Sequence, residues 1–403
     1  MTGALSHIRV LDLSRVLAGP WCAQILGDLG ADVIKVENPK TGDDTRGWGP
    51  PFLTDEAGAR ADAAYYLCAN RNKRAIAVDI TTPEGQEIII ALAKISDVVI
   101  ENFKTGGLKK YGLDYEGLKA HNKDLIYCSI TGFGQNGPLA HAPGYDYLIQ
   151  AMGGLMSVTG QGAPVKVGVP VVDLFTGVYA SNAIMAALIA RDQGMGGQHI
   201  DMALFDVQLA MLANQASNYL VSGGVPQPLG NAHPNIVPYQ NFPTADREII
   251  VAVGNDRQFA AFAQVLGCED WAKDPRFKTN AARVENRDVL TGMIAQSLKA
   301  GESGVWLDKL SKAGIPCGPI NSVKAAFDEA QAKARGAQIE IPVTGVGPVP
   351  GVANPIHMSV TPPHYRLGPP RFAEHTAEVL QKMLNWDDKK IAQLRQSGAI
   401  VEL

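Results

Sequence analysis

Cysteine is scarce in this 403-residue chain and does not cluster: Cys22, Cys68, Cys128, Cys268 and Cys317 form no C-x-x-C pair and no histidine-bearing metal spacing. That excludes a disulfide scaffold and leaves no metal site to assign, and it fits reduced thiols in a cytoplasmic protein. Basic charge is also short, 36 Lys and Arg against 40 Asp and Glu for a net −4. Nothing global therefore attracts nucleic acid, and a polyanionic ligand needs a local pocket. No apolar run approaches membrane-spanning length, so no membrane association is expected. The strand-like Ile8 to Leu13 begins so early that no targeting peptide is expected. Internal repeats and low-complexity tracts are missing as well. What is present, 46% apolar and 19% charged residues, describes a soluble globular chain whose length suits a large domain plus a smaller one.

Short apolar runs alternate with helical patterns from the start. Ile8–Leu13, Ala31–Glu37, Lys73–Ile80, Asp97–Phe103, Leu125–Ile130 and His199–Leu204 read as strands, with helices over Pro20–Leu29 and Pro83–Ile95 among the intervening segments. This order predicts an α/β fold, a Rossmann-like large domain with a parallel sheet and ligands at the carboxyl ends of its strands. The first strand-to-helix turn, Ser14 to Pro20, lacks G-x-G-x-x-G, which removes the usual dinucleotide fingerprint. Gly194–Gly197 precedes a strand rather than opening a helix and is no phosphate loop.

The expected divisions are 1–200 for the first part of the large domain, 201–225 for a linker helix, 226–320 for a small α+β domain and 321–403 for a strap and return. Pro226 to Asn235 marks the change of texture, and the prolines between Val343 and Pro370 suggest an extended strap. Helices over Phe372–Leu384 and Asp387–Gly398 finish the chain. Arg283 and Arg287 read as ion-pair partners.

Asp173 carries the chemistry. It follows Gly168 to Val172 and opens a helical run, Leu174 to Arg191, so it sits at a predicted strand-to-helix junction. A carboxylate there is either an N-cap or a nucleophile toward an activated acyl group, and its own stretch does not choose. The loop Asn38–Phe52, with Arg46 and Trp48, is either a binding loop or a surface Ω-loop pinned by its tryptophan.

Several motifs together resemble the class III coenzyme A transferases, the formyl-CoA and carnitine-CoA transferase family. They are Arg15-Val16-Leu17-Ala18-Gly19-Pro20, Gly42-Asp43-Asp44-Thr45-Arg46, Asn72-Lys73-Arg74, Glu101-Asn102-Phe103, Gly144-Tyr145-Asp146 and Asp173, collinear along nearly the whole chain. The resemblance implies an interlocked homodimer, no permanently bound cofactor, and coenzyme A and acyl-CoA as substrates. It makes Asp173 the nucleophile, Val16, Ala18, Asn102 and Phe103 contacts for coenzyme A, and Gly230, Asn231 and His233 a lid. Lys40, Lys73, Arg74, Lys104, Lys109 and Lys110, with Asn72, are candidates for the coenzyme A phosphates, each lysine being otherwise a solvated surface charge. Leu17, where oxalate-specific relatives carry glutamine, points to the dicarboxylate branch, with succinyl-CoA as donor. Arg15 and Arg46, with Trp48 and Tyr145, are then substrate contacts, unless the arginines hold the loop to the core. The same fold serves 2-methylacyl-CoA racemases, whose Gly-His-Asp triplet is Gly144-Tyr145-Asp146 here; a coenzyme A-binding protein without turnover is the third reading.

Overall fold

A computed structural model describes residues 3–403. The chain divides into two compact units. The first comprises the chain up to Leu155, Val167–Ser217 and Gln331–Leu403, and the second Met156–Lys166 and Asn218–Ala330.

The first unit is built on a seven-stranded sheet in the order Ile400–Val401, Lys73–Val78, Asp32–Glu37, Arg9–Asp12, Val98–Glu101, Ile126–Thr131, His199–Ala203. All neighbours are parallel except Ile400–Val401, which runs antiparallel to Lys73–Val78. The period-2 alternation of each strand supplies two cores. Leu11, Ile34, Ile76, Val99 and Tyr127 face one way and pack with Ile88, Ile89, Leu92, Val379 and Leu380. Their neighbours Val10, Val33, Val98, Ile126 and Cys128 face the other way, toward Cys22, Leu26, Ala180 and Ile184. Burial on both faces explains why these strands read as continuous apolar runs. Helix Pro83–Lys94 starts as its sequence dictates, with Thr82 accepting from Gly85 N and proline in the first turn.

The strand order reverses between Arg9–Asp12 and Val98–Glu101. The sheet connections leave in opposite directions there, which opens a crevice at the carboxyl ends of the strands. Helix Ala18–Asp28 packs against the long helix Val171–Ala190 across Gly177, where an added Cβ would lie 2.7 Å from Ala18 O and 3.0 Å from Trp21 Cδ1. Gly177→Val is therefore expected to push the two helices apart and to cost about 1–3 kcal/mol, read as a lower unfolding midpoint.

Four expectations change. The segment before Asp173 is not a strand: the helix already begins at Val171. With its π-helical end the helix runs Val171–Met195, long and apolar enough by length and composition to cross a membrane, against the expectation that no apolar run approaches that length. Its Val172, Thr176, Ala180, Ile184 and Leu188 face is buried in the unit's core. Residues 201–203 belong to the main sheet and Leu204–Met211 is a helix of the first unit, so the expected linker is shorter. The expected strap contains a two-stranded hairpin, Gln338–Val343 with Gly347–Val352, a two-stranded ribbon whose open edges admit proline.

The second unit carries a three-stranded antiparallel sheet, Cys317–Pro319, Glu248–Ala252, Tyr239–Pro243, covered by helices that include Asp256–Val265, Arg287–Leu298 and Ser303–Lys312. Its core gathers Phe242, Phe259, Phe262, Phe277, Leu290 and Trp306. Arg283 is fully buried, donating to Val237 O at 2.7 Å and Phe277 O at 2.9 Å while pairing with Asp256 at 2.9 Å. Arg287 binds carbonyls rather than a carboxylate, those of His233 and Pro234, both at 2.9 Å.

Candidate active site

A cleft of about 590 Å³ occupies the crevice at the strand ends of the first unit. Its wall runs from Ser14–Ala18 through Asn102–Thr105 and Ile130–Gly132 to Tyr145 and Asp173.

Asp173 is the third residue of its helix, not the N-cap. Pro170 occupies the cap position and contributes no side-chain bond. The exposed amides of this helix end are taken by Asp146, whose Oδ1 accepts from Val172 N at 2.8 Å and Asp173 N at 3.4 Å. Gln150 fixes that carboxylate, donating to Oδ2 at 2.7 Å, while its Oε1 accepts from Val167 N at 2.9 Å. With capping assigned to Asp146, the Asp173 carboxylate is left to the cleft. Burial, and then the negative charge of Asp146, push its pKa up to about 7. A carboxylate this basic and this poorly solvated is a better nucleophile than a surface aspartate.

Backbone contact brings the capping residue into place. A Cβ on Gly132 would stand 2.6 Å from Gly144 Cα, and one on Gly144 would stand 2.3 Å from Gly132 Cα. Only two glycines let these loops cross so closely, and the crossing delivers Tyr145 to the cleft and Asp146 to the helix start beside it. Tyr145 lines it and is 62% exposed. His141 is exposed and not part of the lining.

Arg15, Val16, Ala18, Asn102, Phe103 and Lys104 all line the cleft, as does Lys110. Asn102 clamps Arg15 from both sides, accepting from its N at 3.0 Å and donating to its O at 2.7 Å. The Arg15 guanidinium pairs with Asp44 at 2.8 Å and stays largely exposed. Lys104 and Lys110 are exposed and make no ion pair among the described residues.

The remaining candidates lie elsewhere. Lys73 is wholly buried, its ammonium held by Asp12 at 3.0 Å, Pro20 O at 2.9 Å and Asn70 at 3.0 Å; burial brings it down to about 8 against the pull of Asp12. Asn72 is buried, donating to Asp28 and His364 O and accepting from the amides of Arg366 and Leu367. Arg74 pairs with Asp32 at 2.6 Å. A phosphate would have to displace these partners, so the triplet is structural. Arg46 is likewise spent, on Glu37 at 2.6 Å and Asp62 at 2.7 Å, with its guanidinium 3.8 Å from the centre of the Tyr66 ring. Lys40 is 81% exposed beside Asp79 and outside the lining. Lys109 is exposed and also outside it. Trp48 is half exposed and packs edge-on against Tyr65 at 5.3 Å between centroids. Gly230, Asn231 and His233 belong to the second unit, where Gly230 N bonds Gly160 O, Asn231 bonds Asn241 and His233 N bonds Tyr239 O.

Two residues escaped the sequence reading. Asp146 entered it only as part of a triplet, because nothing local says that it caps a helix begun 25 residues later. Tyr65 is half-buried and raised to about 12, by burial first and the charge of Asp173 second, so its neutral hydroxyl lies within the field of the cleft carboxylate.

The fold and the site together define a doubly wound α/β protein that presents a basic carboxylate where the sheet opens to a ligand. Residues 5–376 match the family model described as CoA-transferase family III, and the chain belongs to that family. It is 51% identical over 381 residues to a succinate–glutarate CoA-transferase of Agrobacterium fabrum, covering 94% of this chain and 95% of the relative. It is 43% identical to a succinyl-CoA:glutarate CoA-transferase of Mus musculus, covering 98% and 90%. A crystal structure of a CAIB/BAIF family protein from Brucella suis is similar over 94% of this chain and 99% of that one, with 51% identity and a TM-score of 0.82.

Proposed function

We propose that this CoA-transferase moves coenzyme A from succinyl-CoA to a second dicarboxylate, with Asp173 as nucleophile. The observation that carries the mechanism is the division of labour at one helix end: Asp146 takes the amides and Asp173 keeps its oxygens. The names of the relatives support the dicarboxylate pair.

An Asp173 oxygen attacks the thioester carbon, and collapse of the tetrahedral adduct expels coenzyme A thiolate and leaves a mixed anhydride. The thiolate attacks the aspartyl carbonyl of that anhydride, releasing succinate and forming an aspartyl-CoA thioester. The acceptor carboxylate then attacks this thioester, the thiolate leaves again, and its attack on the acceptor acyl carbon of the second anhydride frees Asp173. Once Asp173 is ionised, no step needs a general base or a bound cofactor, since every nucleophile is then an anion. Amides at the glycine-rich strand ends support the oxyanions, a donor of this kind contributing about 3 kcal/mol.

Racemisation needs a second base, and the cleft lining offers the Tyr145 phenol in place of the racemases' imidazole, while His141 stands outside it. A homodimer accounts for the apolar stripe of Phe175, Val178 and Tyr179, each more than 40% exposed at i, i+3, i+4 spacing on the long helix. Interlocking of the two chains and a lid formed by Gly230–His233 remain part of this reading, as does a reducing, cytoplasmic setting for the five unpaired cysteines.

A donor-by-acceptor matrix read by mass spectrometry tests the function, with coenzyme A exchange between succinyl-CoA and glutarate as the expected result. No exchange with any dicarboxylate, and no hydroxamate on the protein after hydroxylamine trapping, overturns it. Deuterium entering C2 of a 2-methylacyl-CoA without transfer would establish the racemase instead. Lys104→Ala/Lys110→Ala is expected to raise KM for the acyl-CoA about tenfold and to flatten its salt dependence, leaving the acceptor KM in place.

A further inference from the structure

Val16 stands in the cleft wall with φ at +71°. Left-handed backbone is costly for any residue with a Cβ and most unusual for a β-branched one, so something must hold it there. The holders are identifiable. Ser14 O accepts from Lys35 Nζ at 3.0 Å, Asn102 grips Arg15 N and O, and Val16 N donates to Asp43 Oδ1 at 3.3 Å. Asp43 is itself immobilised: Lys35 Nζ reaches its Oδ2 at 2.8 Å, Thr45 N and Oγ1 donate to Oδ1 at 3.0 and 2.7 Å, and its own N donates to Glu37 at 2.8 Å. The Lys35 and Asp43 side chains are 0% exposed. Burial raises the Asp43 pKa, but Lys35 and then Thr45 outweigh it and bring the group down to about 2, so the pair is charged throughout the working range.

A charged pair sealed from water is poor economy for stability alone, because an apolar pair of similar volume serves as well or better. Its position explains its retention. We propose that Asp43, fixed by Lys35, is a positioning residue that holds the Val16 turn in its left-handed conformation, so that the backbone following the first strand meets the acyl-CoA already in place. The proposal rests on the reading of this cleft as the acyl-CoA site.

A double-mutant cycle separates positioning from general support. Asp43→Asn and, to avoid stranding a buried charge, the paired change Lys35→Met/Asp43→Leu are each made with Val16 intact and with Val16→Gly, since glycine reaches the left-handed region without help. The readouts are kcat/KM for succinyl-CoA, its dissociation constant by calorimetry, and the unfolding midpoint. With Val16 intact, loss of the holder is expected to lower kcat/KM about 30-fold or more; in the Val16→Gly background the further loss shrinks by about tenfold, the factor that the left-handed penalty represents. Equal losses in both backgrounds overturn the proposal, as does a pair change that prevents folding in both. Folding lost with Val16 and regained with Val16→Gly supports it. A wild-type chain that binds succinyl-CoA but transfers nothing would refute the proposed function, while the same cycle read on the dissociation constant still decides the role of Asp43.

Discussion

Asp173→Asn is expected to abolish transfer, lowering kcat about a thousandfold or more, and at the same time to make the folded chain more stable above neutral pH. The second effect follows from proton linkage. The carboxyl ionises at about 7 in the fold against about 4 in an unfolded chain. Below pH 4 both states hold the proton and the group costs nothing. As the pH rises toward 7 the unfolded state releases its proton first, so wild-type stability falls, and above 7 the full penalty persists. Three pKa units correspond to at most about 4 kcal/mol, and partial solvation of the side chain reduces this to about 2. Asparagine never ionises and escapes the loss. Thermal unfolding of both proteins across pH 4–9 should show midpoints that coincide in acid and diverge by a few degrees above pH 7. An asparagine variant less stable than wild type at pH 8 would sink the assignment of a desolvated carboxylate. The same pKa predicts that kcat/KM of the wild type declines as pH drops below about 7, because only the ionised form attacks.

Arg46→Met should be the most destabilising single change in the cleft's surroundings, by about 3–5 kcal/mol. Glu37 has no exposed side-chain surface and receives two bonds from this guanidinium, at 2.6 and 2.8 Å. Without it a buried carboxylate loses its counter-charge, and Glu37 is also the acceptor for Asp43 N, so the damage reaches the cleft wall. Both candidate roles of Arg46 are thereby separable. A structural guanidinium lowers the unfolding midpoint steeply; one that binds an acceptor carboxylate would raise the acceptor KM with the midpoint unmoved, and that outcome would return Arg46 to the substrate.

Strand positions were legible because each of the six parallel strands carries its own apolar run, and burial on both faces makes that run continuous. The end of the sheet that carries the cleft followed from topology alone. Asp173 is legible as a carboxylate at a helix start, but the helix begins three residues earlier than the sequence suggests, because Pro170 marks the cap rather than belonging to a strand. Lys73 and Arg74 were misassigned for a general reason: a basic residue at a strand entrance looks the same in sequence whether it meets a ligand or a buried aspartate such as Asp12, which lies 61 positions away. The role of Asp146 is not legible because its partners, the amides of Val172 and Asp173, are set by the crossing of loops. The Met156–Lys166 piece of the second unit was missed because so short a stretch has no composition of its own.

Strand Lys73–Val78 has its outer edge closed by Ile400–Val401, and His375 N bonds Ala75 O beside it. These neighbours are separated along the chain by some 300 residues, among them the whole of Asn218–Ala330. During synthesis, therefore, the second unit is complete while the large sheet still shows an apolar strand with an unpaired edge. Contacts of such high sequence separation make folding slow, and the waiting edge is a template for pairing with another nascent copy. Folding yield in cells should thus depend on chaperone supply more than the stability of the finished protein suggests.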